Sequence, residues 1–317
     1  MAFLNSDIEV FYPKTKRSNK DISQKFPEWE PKKILQKVGI SNRYVCDPEE
    51  DALTLAIMAF EKFEKKLSLQ WNKSDLLIYV SNSSRKVAPG DGHLFINSTS
   101  LKSSKLGCLD VNLGCSGYTY ALGIAKSLVE SGSHEKVLIV TTDCYSKYIP
   151  AYDKNNQTIF GDAASISVVS SEILGTGGWK LNQFKTGSYP SGYSDLNIAF
   201  NSPSDSLPIL KMVGSSIFKF TATEVVHFIK DQNLPLEEMI SIFHQANSFM
   251  LDYMRQKLNI PENKFLISMK DFGNTVSTSI PLAIFKNTEM LLSNDLFLCG
   301  FGIGASYSSI QLLKQIS

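Results

Sequence analysis

Cys115-Ser116-Gly117-Tyr118-Thr119-Tyr120-Ala121-Leu122 opens a helical pattern that runs to Gly132, and the apolar run Val137-Leu138-Ile139-Val140 follows it. The same order returns later in the chain. Asn274 opens NTVSTSIPLAIFKNTEMLLS, and Leu296-Phe297-Leu298-Cys299 follows. Cys115 to Val137 and Asn274 to Leu296 are both 22 positions. Each run is succeeded by a glycine-led segment: Gly161-Asp162-Ala163-Ala164-Ser165-Ile166-Ser167 in the first copy, Gly302-Ile303-Gly304-Ala305-Ser306-Tyr307-Ser308 in the second. Gly, Ala, Ser and Ser coincide between them. The first copy carries an insertion, roughly residues 143–160, that the second lacks.

A third pair precedes these. Leu76-Leu77-Ile78-Tyr79-Val80-Ser81-Asn82 and Met239-Ile240-Ser241-Ile242-Phe243-His244-Gln245 are short apolar runs that end in polar residues, as buried parallel strands do. Leu53, Ile57, Phe60 and Phe63 before the first, and Phe218, Thr221, Val225 and Phe228 before the second, recur at helical spacing. Three pairs in one order predict two similar α/β halves that bury helices between sheets. The boundary falls near residues 170–178, where Gly175, Gly177 and Gly178 cluster, so the halves are 1–172 and 173–317.

Composition agrees with a folded chain of this kind. Of 317 residues, 43% are hydrophobic and 20% charged, which argues against disorder, coiled coil and collagen-like repeats. The net charge of +1 gives no global drive toward nucleic acid or a membrane surface. Locally, residues 11–45 hold nine basic side chains, Arg43 among them, against three acidic ones, which reads as a solvated face or as a landing strip for an anionic carrier. No apolar run reaches the roughly 20 residues that span a bilayer. The opening MAFLNSDIEV lacks the basic and apolar regions of a signal peptide, and a cytoplasmic protein is expected. Cys46, Cys108, Cys115, Cys144 and Cys299 are scattered without a CxxC, so neither a disulfide framework nor a zinc ribbon is expected. Most should be small buried hydrophobes.

Ligands of parallel α/β sheets bind beyond the carboxyl ends of the strands. Cys115, His244 and Asn274 stand at such ends. A cysteine at a helix N-terminus faces free backbone N–H groups and the positive end of the macrodipole, which favour its thiolate. Gly114 and Gly117 allow close backbone approach. Taken singly, the cysteine is a buried structural residue, His244 a hydrogen-bonded core histidine and Asn274 a helix cap. A pseudo-twofold axis between the halves brings Cys115 and Asn274 face to face and raises the functional reading above those. His93, His134 and His227 lack such a setting.

These residues carry a resemblance. DVNLGCSGYTYAL at 110–122, FGDA at 160–163, HQAN at 244–247, GNTVSTSIP at 273–281 and GFGIG at 300–304 resemble the beta-ketoacyl-acyl carrier protein synthase III family of the thiolase superfamily. The resemblance runs from about Ser18 to Leu313. It implies the thiolase fold, a duplicated five-layered α-β-α-β-α architecture, usually as a homodimer. It further implies that Cys115 is acylated by a thioester and that His244 and Asn274 hold the enolate of a decarboxylated malonyl thioester. Backbone N–H groups at Cys115 and in the loop Gly302, Ile303 and Gly304 would hold the oxyanion. No metal and no permanently bound cofactor is implied; acyl-coenzyme A or acyl-carrier-protein thioesters are the substrates, and an acidic acyl carrier protein the partner. Lys33, Lys37, Lys154, Lys219, Gly214, Asn247, Arg255 and Lys257 are the implied carrier or pantetheine contacts, and Phe95 a tunnel gate or a core residue.

Some positions depart from the family pattern. Lys33 and Lys154 occupy the places of a tryptophan and an arginine that sandwich adenine in coenzyme A users, Trp29 lies nearby out of register, Phe249 replaces an arginine, and Ile303 replaces a glycine. Lysine lacks the planar guanidinium that stacks, which favours a carrier protein as donor. A specialised relative in fatty-acyl or polyketide metabolism is expected. Two alternatives carry different signatures: acyl transfer from Cys115 to a hydroxyl or amine consumes no malonyl group, and a non-catalytic partner subunit acquires no acyl group on Cys115.

Overall fold

A computed structural model describes residues 1–86, 88–200 and 207–315. Ten strands form one mixed sheet: β1 (Phe3–Asn5), β2 (Glu9–Phe11), β3 (Leu76–Val80), β4 (Gly107–Val111), β5 (Lys136–Asp143), β6 (Ala163–Ser170), β7 (Gly178–Ser188), β8 (Ile240–Phe243), β9 (Leu296–Gly302) and β10 (Ser306–Lys314). Their order is β8-β9-β10-β7-β1-β6-β5-β3-β4, with β2 also paired to β6. The two halves meet where β1 lies antiparallel to β7, Leu4 opposite Trp179.

Alternation along the strands builds five layers. Ile78, Val80, Val137 and Ile139 from the first half, and Ile240, Ile242, Leu296 and Leu298 from the second, face a shared middle layer. Two helices fill it, Gly117–Glu130 with Tyr118, Ala121, Leu122 and Ala125, and Ser279–Leu291 with Ile280, Ala283 and Ile284. On the first outer face Leu77, Tyr79, Leu138 and Val140 pack on Leu53, Ala56 and Phe60 of the helix Ala52–Lys66. On the second, Phe243, Phe297, Cys299 and Phe301 pack on Ile217, Phe220, Val225 and Ile229. This is the α-β-α-β-α arrangement expected.

The repeat is legible in the ladders. Leu76 pairs with Val137 and Ile240 with Leu296, both in parallel. The next pairing differs from the glycine register: Val137 opposes Val169, and Leu296 opposes Leu312. Ala163 is thus the equivalent of Ser306, a slip of two residues from the sequence alignment. An even slip keeps every side chain on its own face, so the pattern could not reveal it.

The second amphipathic helix is interrupted. A π-turn, Thr221–Val225, joins Gly214–Phe220 to Val226–Lys230 and rotates the buried stripe. Ile217, Phe220, Val225 and Ile229 go inward, while Phe218 and Phe228 are half-buried. Cys115 and Asn274 also stand ahead of their helices rather than in them, since these begin at Gly117 and Ser279. Arg43 is no part of a basic face. It is fully buried, with Nη1 donating to Asn19 Oδ1 at 2.8 Å and Nη2 to Thr158 O at 2.7 Å.

Candidate active site

Cys115 and His244 stand in loops that follow β4 and β8, whereas Asn274, expected at a strand end, lies in a turn segment held by an isolated bridge to Phe160. His244 follows β8 and its N–H donates to Cys299 O of β9 at 2.8 Å. The Asn274 loop is laced to the first half: Asn274 N–H donates to Ile159 O at 2.9 Å, and Gly161 N–H donates to Asn274 O at 3.0 Å. Cys115 sits in the turn that enters the middle-layer helix. Its neighbour Ser116 contacts Ser306 Oγ at 2.7 Å, and Thr119 contacts Ser308 Oγ at 2.5 Å, both on β10. Cys115 and Asn274 are therefore braced by the opposite half, and His244 by β9 of its own.

Glycine is required beside the thiol. A Cβ on Gly302 would lie 2.7 Å from Cys115 Cβ and 3.0 Å from its sulfur, and one on Gly300 would lie 2.7 Å from Ser116 Cα. These approaches bring the backbone N–H of Ile303 to the sulfur.

Cys115, His244 and Asn274 line one cavity of about 420 Å³ with Phe301, Gly302 and the apolar side chains of Ile159, Phe160, Leu196, Met212, Ile217 and Met250. They are 3%, 3% and 5% exposed. Val276 N–H donates to Asn274 Oδ1 at 2.9 Å, so Nδ2 faces His244 Nε2 at 3.3 Å. Behind the imidazole, His244 Nδ1 is 2.8 Å from Ser279 Oγ, which also accepts from Gln245 N–H at 3.4 Å. The Ser279 hydroxyl can either donate to Nδ1 or accept from it, and the first arrangement puts the ring proton on Nε2, facing Asn274. Val276 holds this turn at φ +52°, a conformation β-branched residues seldom adopt.

Burial dominates the electrostatics. It lowers the His244 pKa to about 3, so the imidazole is neutral across the physiological range. It also raises the Cys115 thiol well above its ordinary value, and nearby Asp143 adds to the rise, while the backbone at Cys115 and Ile303 opposes it. Desolvation thus works against the thiolate expected at the helix end.

Asp143 and Ser279 were missed in the sequence. Asp143 ends β5, fully buried. It accepts from Asn82 N–H at 2.9 Å, Ser83 Oγ at 3.1 Å, Ser277 Oγ at 2.5 Å and Ser277 N–H at 3.3 Å. Burial raises its pKa to about 7 against those four bonds. It ties the loop after β3 to the Asn274 loop. A carboxylate closing the run Val137-Leu138-Ile139-Val140-Thr141-Thr142 was the available signal.

The remaining expected positions divide. Asn247 lines the cavity and caps the helix Ser248–Lys257 through Met250 N–H at 2.9 Å. Lys33 and Lys37 line a separate cavity of about 460 Å³ with Trp29. Lys37 and Lys154 stand over the Trp29 ring, 4.9 and 5.6 Å from its centre, and Lys154 pairs with Glu28 at 2.8 Å. Lys219, Gly214 and Lys257 are exposed. Nearby, Phe249 is 64% exposed and stacks on Phe218 at 5.4 Å. Arg255 turns back on its own chain, Nη1 donating to Ile260 O at 3.3 Å, because the segment after the helix folds back and Ile260 N–H donates to Arg255 O at 3.0 Å. Gly304 is exposed, and of the loop Gly302 and Ile303 are the residues that reach the sulfur. Phe95 is fully buried, 5.4 Å from Phe60 and 5.8 Å from Tyr79 in the outer core of the first half. It packs there and does not line the cavity at Cys115, the helix Asp91–Asn97 having turned it inward.

Residues 109–190 match the family model of 3-Oxoacyl-[acyl-carrier-protein (ACP)] synthase III, and residues 230–313 match that of its C-terminal part. A solved 3-oxoacyl-(acyl-carrier-protein) synthase III superposes with a TM-score of 0.89 at 33% identity, covering 98% of this chain and 99% of that one. This chain belongs to the 3-oxoacyl-[acyl-carrier-protein] synthase III family. A 3-oxoacyl-(acyl-carrier protein) synthase from Burkholderia xenovorans superposes with a TM-score of 0.88 at 25% identity, over 99% and 94% of the two chains. The beta-ketoacyl-[acyl-carrier-protein] synthase III of Clostridium perfringens is 27% identical over 313 residues, 95% of each chain. The synthase III fold thus spans nearly the whole of this chain, and the Cys115, His244 and Asn274 loops fall inside the two matched segments.

Proposed function

We propose that this condensing enzyme loads an acyl group on Cys115 and joins it to a malonyl thioester with loss of carbon dioxide. The observation that carries the reading is the one cavity that Cys115, the neutral His244 imidazole and the Asn274 carboxamide line together, with Asn274 Nδ2 3.3 Å from His244 Nε2. In the first step Cys115 sulfur bonds to the acyl carbonyl carbon. The donor thiol leaves with the proton that Cys115 gives up. Because the free thiol is held protonated by burial, its proton departs as the sulfur attacks rather than beforehand. Backbone N–H groups of Cys115 and Ile303 are placed to hold the oxyanion.

In the second step the malonyl carboxylate leaves as carbon dioxide. The enolate oxygen takes hydrogen bonds from His244 Nε2–H and Asn274 Nδ2–H, each worth roughly 3 kcal/mol in such a site. Its carbon attacks the acyl-Cys115 carbonyl, the carbon–sulfur bond breaks, and the thiol regains a proton. A neutral amide at 274 favours this step, since a carboxylate would repel the enolate.

Lys33, Lys37 and Lys154 around Trp29 supply cations for the phosphate of a pantetheine arm, and Lys219 and Lys257 for an acidic acyl carrier protein. The open edge of β4, where Leu109 is 39% exposed, supports pairing with a second copy. The two-half division at 172/173 rests on the repeated ladders.

Intact-mass analysis against acyl-coenzyme A and acyl-carrier panels tests loading, and carbon dioxide release from malonyl-carrier protein tests condensation. Loading without carbon dioxide release would replace condensation by transfer to a hydroxyl or amine.

A further inference from the structure

Cys46 and Cys144 take no part in this chemistry, yet their sulfurs lie 2.7 Å apart across 98 residues of sequence. Their neighbours impose the approach. Buried Asp162 accepts from Cys46 N–H at 2.8 Å, from Ser146 N–H at 3.0 Å and from the Ser146 hydroxyl. Lys147 Nζ donates to the carbonyls of Asp47 and Pro48, each at 2.8 Å. The segment that carries Cys46 and the turn that carries Cys144 are therefore clamped together by groups other than the sulfurs. Cys144 is buried, whereas Cys46 is half-buried, so solvent reaches one of the pair.

A metal fits poorly, although Asp162 completes a possible three-ligand cluster. Both of its oxygens already hold N–H or O–H donors. Two thiolates on a tetrahedral zinc stand roughly 3.8 Å apart, given a Zn–S bond of about 2.3 Å.

We propose that Cys46 and Cys144 form a reversible dithiol–disulfide site that exchanges with low-molecular-weight disulfides such as oxidised glutathione. Cys46 sulfur attacks one sulfur of the external disulfide. That bond breaks, one thiol leaves with the Cys46 proton, and a mixed disulfide remains on Cys46. Cys144 then attacks Cys46 sulfur and expels the second thiol, which takes the Cys144 proton. Two protein thiols are oxidised and one external disulfide is reduced to two thiols. The contact with Cys144 favours the Cys46 thiolate, but burial and Asp162 outweigh it, and burial holds Cys144 higher still, so exchange is slow. The new bond adjoins Asp143, which fastens the Asn274 loop.

The test incubates purified protein with oxidised glutathione, quenches with acid, and alkylates the unfolded chain with N-ethylmaleimide. Two adducts should be lost, both at Cys46 and Cys144. Tryptic peptides 44–62 and 137–147 should appear joined, and dithiothreitol should restore both adducts. Cys144→Ser should retain glutathione on Cys46, whereas Cys46→Ser should take none on Cys144. Peptides that stay separate and fully alkylated throughout would overturn the proposal. So would a bound metal that blocks alkylation of both until a chelator removes it.

Discussion

Cys115, His244 and Asn274 answer different questions when replaced. Cys115→Ala should abolish the mass gain from acyl thioesters. His244→Ala and Asn274→Ala should still acquire the acyl group but lose carbon dioxide release by about 10²–10³-fold, the usual cost of one such donor. Wild-type condensation by Asn274→Ala would remove the enolate role. Two buried groups predict opposite pH slopes. His244 titrates near 6.5 unfolded and about 3 folded, so its contribution is complete above pH 6.5 and is lost as pH falls toward 3. Asp143 titrates at 3.8 unfolded and about 7 folded, so the fold is favoured below pH 3.8 and loses that preference as pH rises to 7. Between pH 4 and 6.5 they oppose each other. Asp143→Asn removes one slope, so its denaturation midpoint should fall more steeply than wild type on acidification from pH 6.5 to 4.5. The difference is on the order of 1.4 kcal/mol per pH unit, and parallel curves for the two proteins would refute the assignment.

At the scale of elements, the site depends on strand and helix touching without side chains between them. Gly300 of β9 lies against the backbone of Ser116, with a Cβ position 2.7 Å from its Cα and 2.8 Å from Cys115 O. Backbone on both sides leaves no rotamer to yield. Gly300→Ala should therefore destabilise by about 1–3 kcal/mol, as overpacked cores do, read as a lower denaturant midpoint at unchanged m-value. Element ends were the least legible part of the chain. Periodicity announced the middle-layer helices, but their first residues were set by the turns at Cys115 and Val276, which answer to the opposite half. The π-turn at Thr221–Val225 likewise has no marker in local composition.

At the scale of the whole molecule, the ten-stranded sheet runs unbroken from one half to the other through β1 and β7. Leu4 is fully buried between Val169 and Trp179 on its neighbouring strands and belongs to the core shared by both halves. Leu4→Ala should cost about 2–5 kcal/mol, and both halves should still unfold in one transition. Separate transitions seen by tryptophan fluorescence and circular dichroism would show that the halves fold alone.

Spacing carried the duplication and the buried strands, because strand burial and helix amphipathy are written in the order of apolar residues, while Cys115, His244 and Asn274 were singled out by their places in that pattern together with the family resemblance. Tertiary packing decided the rest. The two-residue slip on β6 and β10 preserves every face, so no pattern records it. Arg43, Phe95 and Arg255 turn inward or back on the chain because partners distant in sequence, or a segment that folds back after a helix, receive them. The protonation of Cys115, His244 and Asp143 follows from water excluded by both halves together, a property that no single segment possesses.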